Sequence, residues 1–412
     1  MSMSETMVDP SALHSLVTSN RLPSEREAEQ ARTLIADAVQ ELARVNVELL
    51  ELERKRKDLE NYIHAHKSVV SPWRRLLPEL VIEIMRYCAT DKLCPSQHHD
   101  FENPFVIGQV CSAWRDVALS TPSLWTNVHV TVSTLSTVSQ AQALERLLQR
   151  SHPHFLTLKV EYQPLQIHQS GAPLQVIHTL RKSSERWRSL DVSLTGSLLE
   201  ALVDSAPLPN LETLVLRSSW MYNPYPPPAT HESLPRGTTF KGAPALRKLN
   251  LSNTYLNTST IIDCFPLEQL TELDIFVGRI NRPTQFSGFH TTHLLAHTPN
   301  LETYRLSSVP ETCPPEDYPE SALTSHPVPM PHLRTLELQT YDRWSPIFDN
   351  LVLPGLEKVR LEVSSSSWRN RWADGPFDRL LERSQRTKIS CDASASTFGI
   401  HVYDCVIGPK AC

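Results

Sequence analysis

The chain has 412 residues, 40% of them hydrophobic, with 40 Lys and Arg against 45 Asp and Glu for a formal net charge of -5. That length supports a substantial buried core in about two or three domains, and the slight acidic excess, with the cations spread out, supplies no basic field for a phosphate backbone, so nucleic acid is not an expected partner. No stretch approaches the roughly 18 consecutive apolar residues of a membrane span and residues 1–22 lack an apolar leader core, so the expectation is a soluble intracellular protein, cytoplasmic or nuclear, with no membrane partner.

Residues 1–23 read as a disordered polar tail. The first organised element is a long heptad helix over 24–68. Ser24 followed three residues later by Glu27 is a capping-box start, and neither glycine nor proline interrupts the chain before Pro72. Ile35, Leu42, Leu49 and Ile63 recur at one heptad position and Ala38, Val45, Leu52 and Leu59 at the other, with Arg56 the one break in the seam. So narrow a stripe suits a coiled coil better than a helix sunk in a globular core. It leaves open self-association as a homodimer or antiparallel packing on the next module.

A small helical module follows over 71–127. Pro78 suits the first turn of a helix, Glu79 the positive end of its dipole, and Leu77, Leu80, Val81, Ile84, Met85 and Cys88 form an apolar stripe too wide for one short helix to hide. A second helix is expected from about Phe105 to Leu119, carrying Val106, Val110, Ala113, Trp114 and Val117. Two such helices make a small core. The face around Leu77, Pro78, Leu80 and Trp125 is left for a partner helix.

The ordered set Leu77-Pro78, Leu80, Ile84, Val110-Cys111, Trp114-Arg115 and Leu124-Trp125 resembles an F-box, in the form common in fungal F-box-like families, with the segment from Ala89 to Pro104 as a polar insertion where a compact F-box has a short turn. The resemblance implies docking to the small adaptor subunit of an SCF-type, cullin-based ubiquitin ligase. Leu77, Pro78, Leu80, Ile84 and Trp114 are then the adaptor-binding residues, filling or supporting a groove, with Pro78 and Leu80 the most exposed.

From about Thr131 to residue 412 the sequence repeats. Apolar residues at i, i+3 and i+5 recur, as in Phe155/Leu158/Val160, Trp187/Leu190/Val192, Leu246/Leu249/Leu251 and Leu333/Leu336/Leu338, with helix-like pieces such as Leu144–Leu148, Leu174–Leu180 and Phe377–Leu381 between them. Units offset by about 23 to 35 residues resemble irregular leucine-rich repeats. An alternating strand cannot bury its face alone, so stacking units builds a parallel sheet. The fold class expected is therefore a long N-terminal helix, a small helical F-box and an irregular leucine-rich-repeat-like α/β solenoid. Residues between the apolar positions then line a concave face: Lys159, Asp191, Arg217, Asn250, Asp274, Arg305, Glu337 and Arg360 are the candidates for holding an unknown protein substrate. Met221–Pro235, Val309–Pro331 and Ser364–Trp372 interrupt the repeats as long loops. The piece from Ile389, with Ile400, Val402, Cys405 and Val406, is expected as a capping strand.

Chemistry of the chain's own is not expected. Only 11 glycines occur and no Gly-rich phosphate loop. Cys88, Cys94, His98, His99 and Cys111 match no standard zinc spacing, so no metal or other cofactor is expected. Nucleophile elbows and paired catalytic motifs are absent, so no catalytic residue and no enzyme activity are expected. The eight cysteines lack the density of a disulfide framework, and reduced thiols are expected. Two functions remain. In one, the chain is the substrate-recognition subunit of an SCF-type ligase, raising the effective concentration of substrate beside the catalytic subunits. In the other, it is a non-ligase scaffold that self-associates through its first helix and binds a protein through its repeats.

Overall fold

In the computed structural model, the described residues are 21–90, 108–133, 136–163, 172–217, 238–252, 256, 258–277, 288–308, 327–339, 345–364, 374–395 and 400–409. The first 20 residues of the expected tail, residues 91–104 of the expected insertion, Phe105 and Val106 of the expected second helix, the loop Met221–Pro235 and most of the other two loops lie outside them. The chain separates into two compact units, Met1–Leu77 and Pro78–Cys412.

The first unit is dominated by α1 (Glu25–Val69). Ser24 and Glu27 cap it reciprocally: the Glu27 amide donates to Ser24 Oγ at 3.4 Å and the Ser24 amide to the Glu27 carboxylate at 2.8 Å, which satisfies two amides that the first turn leaves without helical partners. Acidic side chains in its first turn and His66 and Lys67 in its last complement the helix dipole. Pro72 then opens a short 3-10 turn, Pro72–Arg75. Ile35, Leu42, Leu49, Leu52, Leu59 and Ile63 are all exposed.

In the second unit, α2 (Pro78–Thr90) packs on α3 (Ser112–Ser120) and on the 3-10 turn Pro122–Trp125. α3 begins at Ser112 because Cys111 is extended, with φ -161° and ψ 172°. Val110 therefore precedes the helix in a turn and is exposed, against the expectation of a core position. Val81, Met85, Trp114, Ala118, Leu124 and Trp125 are buried.

A mixed α/β fold with an eleven-stranded, mostly parallel sheet follows. Its strands in chain order are β1 (Asn127–Ser133), β2 (Leu156–Gln163), β3 (Trp187–Ser193), β4 (Thr213–Arg217), β5 (Lys248–Ser252), β6 (Glu272–Val277), β7 (Thr303–Ser308), β9 (Thr335–Gln339), β11 (Lys358–Ser364), β12 (Arg386–Ala395) and β13 (Ile400–Pro409). They lie in the order β1-β2-β3-β4-β5-β6-β7-β9-β11-β13-β12, and all pair parallel except β11 with β13 and β13 with β12. The short β8 (Val328–Pro329) and β10 (Leu351–Val352) form a separate parallel pair.

Between the strands run α4 (Val138–Arg150), α5 (Pro173–Arg181), α6 (Gly196–Val203), α7 (Thr258–Cys264), α8 (Gly288–Leu295), α9 (Ser345–Asp349) and α10 (Asp374–Arg383). α4 packs on α5, α5 on α6, α7 on α8, α8 on α9 and α9 on α10, a row laid along one face of the sheet.

Register explains the core. Leu158, Leu190, Leu214, Leu249, Leu273, Tyr304, Leu336 and Val359 are direct neighbours across successive strands, and a second apolar row two residues along runs from Val160 to Leu361. Each of these positions is at most a few per cent exposed. Hydrogen bonds continue beyond the strands, with the amides of Glu212, Arg247, Thr271, Glu302, Arg334 and Glu357 each donating to a carbonyl of the preceding turn. Helix ends close on buried hydroxyls, as Ser151, Ser183 and Thr298 donate to Leu148, Leu180 and Leu295 carbonyls. Gly355 sits where the chain turns against Pro331, and a Cβ there would lie 2.5 Å from the Pro331 carbonyl oxygen.

Two expectations about this region, the buried position of Phe155 and the reduced state of all the thiols, need correction. Phe155 is half-exposed, with Arg188 over its ring, and Leu156 takes the buried position at the start of β2. The C-terminal piece is a two-stranded hairpin in which β13 covers the edge of β11. Its register sets Cys391 opposite Cys405 and the two are joined by a disulfide, so these thiols are not reduced; Cys88, Cys111 and Cys264 carry free thiols.

Candidate functional site

Two solvent-facing surfaces of the second unit carry most of the residues singled out in the sequence. On α2, the 3.6-residue repeat divides the apolar stripe in two. Val81 and Met85 point into the core with Trp114, while Leu80, Ile84 and Tyr87 share the other side. Leu80 is 51% exposed and Tyr87 74%, with Ile84 intermediate. Pro78, which opens the helix, is exposed, as is Leu77, the last residue of the first unit, at 63%. Leu77 is thus more exposed than Leu80, which had been expected to lead with Pro78. A shallow cavity of about 530 Å³ opens beside this face, bordered by Glu83, Ile84, Arg86, Tyr87 and Cys88. Glu83 and Arg86 form an ion pair along the helix.

Trp114 is 7% exposed, so it supports the face from below and offers no contact surface. Trp125, expected on the open face, is 1% exposed. Its indole Nε1 donates to the Ala118 carbonyl at 2.8 Å and Arg150 lies over its ring, so both its polar atom and its π face are already used. Cys88, expected in the stripe's core, is exposed one residue beyond Tyr87. Tyr87 is the member of the face that the sequence reading missed, and its spacing of three from Ile84 and seven from Leu80 is the signal that identifies it.

The second surface is the face of the sheet away from the helix row. Parallel register aligns Lys159, Asp191, Val215, Asn250, Asp274, Arg305, Glu337 and Arg360 in one line across eight strands, with His129 before it and Asp404 after it. All but one of the expected substrate-binding positions therefore fall in a single row. Arg217, two residues further along β4, stands in the next row and reaches back to Asp191 at 2.9 Å.

Ion pairs and a hydrogen bond link the row within itself and to the flanking positions. Arg305 donates to Glu272 at 2.7 Å and Glu337 at 3.2 Å, and Asn250 donates to Asp274 at 2.8 Å. Arg360 pairs with Glu362 at 2.9 Å, and Lys248 with Glu272 at 2.8 Å. At the first strands, His129 lies 3.3 Å and Lys159 2.8 Å from the Glu161 carboxylate. Hydrogen bonding from His129, then from Lys159, pulls its pKa down to about 2. Asp191 and Asp274 behave oppositely, because partial burial raises both despite the nearby guanidinium groups.

His129, Glu161, Glu272 and Asp404 belong to this surface and were not identified from sequence. Glu161 and Glu272 lie two residues from Lys159 and Asp274, so strand alternation alone puts them on the same side. His129 was missed with its strand, although Val128, Val130 and Val132 alternate cleanly through Asn127–Ser133. Among the described residues no group of three or more His, Cys, Asp or Glu side chains is arranged to hold a metal ion, and no helix is long and apolar enough to cross a membrane. What both surfaces offer chemically is contact, one apolar and one ionic. Comparison with protein-family models and with curated proteins finds no match for this chain.

Proposed function

We propose that the chain is an F-box protein whose α2 face docks the adaptor subunit of an SCF-type, cullin-based ubiquitin ligase, with the charged face of a leucine-rich-repeat-like sheet holding a protein substrate. The observation that carries this reading is the apolar run of Leu80, Ile84 and Tyr87, with Leu80 and Tyr87 exposed and Ile84 intermediate, on a helix opened by an exposed Pro78 and anchored on its other side by Val81 and Met85. A contiguous apolar face rimmed by Glu83 and Arg86 suits capture of a partner helix. Trp114, 7% exposed, supports the helix from below.

In this role the chain performs no bond-making step. It holds a substrate near a charged ubiquitin-conjugating enzyme and raises its effective concentration there. The open face of the sheet suits a protein surface, since its alternating charges select a complementary pattern more than they supply affinity. Co-expression with the adaptor tests the reading. A stoichiometric complex should form, and Pro78→Ala combined with Leu80→Ala should weaken it at least about tenfold while leaving the melting temperature of the chain in place. Undiminished binding by that folded variant would overturn the assignment.

A further inference from the structure

We infer that two copies of this chain associate through α1 as an antiparallel coiled coil spanning the whole helix. The argument begins with what α1 leaves uncovered. Ile35, Leu42, Leu49, Leu52, Leu59 and Ile63 are each at least half exposed, and together they make the heptad seam of a 45-residue helix. The described residues of the first unit hold no second α-helix to lie against it.

Charge decides what covers the seam. Flanking positions pair differently in the two orientations of a two-stranded coil: in a parallel pair each residue before the first core position meets the residue after the second core position of the other helix, whereas in an antiparallel pair like positions meet. Aligned parallel and in register, α1 gains Glu27 with Arg32 and Lys55 with Glu60. It also sets Glu48 against Glu53 twice and buries Arg56 against its own copy at a core position, an arrangement that leaves two like charges unpaired.

Reversing one helix about a point near Val47 removes both faults. Glu41 then faces Lys55 of the second copy, Arg32 faces Glu60, and Glu25 faces Lys67, each pair occurring twice by symmetry. Core layers become Ile35 on Leu59, Leu42 on Leu52 and Val45 on Leu49. Arg56 lies over the small Ala38, one turn from Glu41 of the other copy, so its stem covers apolar surface while its charge reaches outward. The one like-charge meeting is Glu48 with its own copy at the symmetry axis, a solvent-exposed pair screened by salt.

The helix now uses Arg32, Glu41 and Arg56 in pairs with Glu29, Arg44 and Glu60 along its own surface. Exposed pairs of this kind contribute little, so exchanging them for contacts between copies costs little. This association is independent of the α2 face and of the adaptor reading. Its second copy comes from the same chain.

The test is the solution mass of the full chain by light scattering at micromolar concentration, with Lys55→Glu and with Glu41→Lys combined with Lys55→Glu. Two chains per particle are expected. Lys55→Glu should weaken association about tenfold or more by opposing Glu41 twice, and the double variant should restore it by exchanging the two charges. A mass of one chain would overturn the inference, as would a dimer indifferent to Lys55→Glu, which would lie on another surface. A dimer weakened by Lys55→Glu and not restored by the double variant would overturn the antiparallel orientation, because in a parallel pair Lys55 meets Glu60 and the exchange repairs nothing.

Discussion

The two surfaces of the second unit differ in how far they are satisfied by the chain itself. On α2, Leu80 and Tyr87 are 51% and 74% exposed among the described residues, so a partner that covers this exposed surface gains at about 25 cal/mol per Å² of apolar area. On the sheet, Arg305 already holds Glu272 and Glu337, Arg217 holds Asp191, and His129 and Lys159 hold Glu161. A ligand there replaces existing ion pairs and gains only the difference. The apolar face is thus suited to affinity for one constant partner, and the ionic face to discrimination among many.

The sharpest break between surface and core lies within one helix and one ladder. Leu273→Ala, at 0% exposure in the middle of the sheet, should cost about 2–5 kcal/mol in denaturant unfolding. Next, Val81→Ala should cost about 1–3 kcal/mol whereas the adjacent Leu80→Ala should stay within about 0.5 kcal/mol of wild type. Equal losses at the two positions would mean that the α2 face is covered in the free chain. Gly355→Ala should destabilise by about 1–3 kcal/mol, because the new Cβ meets the Pro331 carbonyl and backbone must move.

A smaller effect appears with pH. The Glu161 pKa is depressed to about 2 from 4.5, so its contribution is fully present above 4.5 and is lost as pH falls from there to about 2. Asp191 and Asp274 are raised by burial, so their protonation favours the folded state as pH falls through their values. Glu161→Gln should therefore lower stability at pH 7 and flatten its loss between pH 4.5 and 2, measured by denaturant titration at each pH. An unchanged acid slope would show that the His129 and Lys159 contacts are not maintained in solution. Arg305→Ala should also be mild, within about 1 kcal/mol, since its partners remain partly open to water.

The sheet was largely legible because period-two alternation and parallel register carry the same information. Once Leu158 and Leu190 are assigned inward, Lys159 and Asp191 must face outward in a single row. The α2 face was only partly legible, since a stripe from Leu77 to Cys88 does not say which half meets the core. The elements that carry Trp114 and Trp125 made that choice by packing on α2, where Val81 and Met85 are buried, and no local pattern announces a tertiary contact. The C-terminal hairpin escaped for a similar reason: Ile389, Ile400 and Val402 suggest strand, but the antiparallel return that joins Cys391 to Cys405 depends on register. The antiparallel orientation inferred for α1, in contrast, rests on its flanking charges.

The measurement that bears most directly on the proposed function is calorimetric binding of the adaptor subunit to the full chain, to Leu80→Asp and to Arg305→Ala. The account predicts that wild type and Arg305→Ala bind alike and that Leu80→Asp does not bind, with all three melting as folded proteins. Binding that survives Leu80→Asp and fails with Arg305→Ala would move the adaptor to the ionic face and contradict the assignment of the two surfaces.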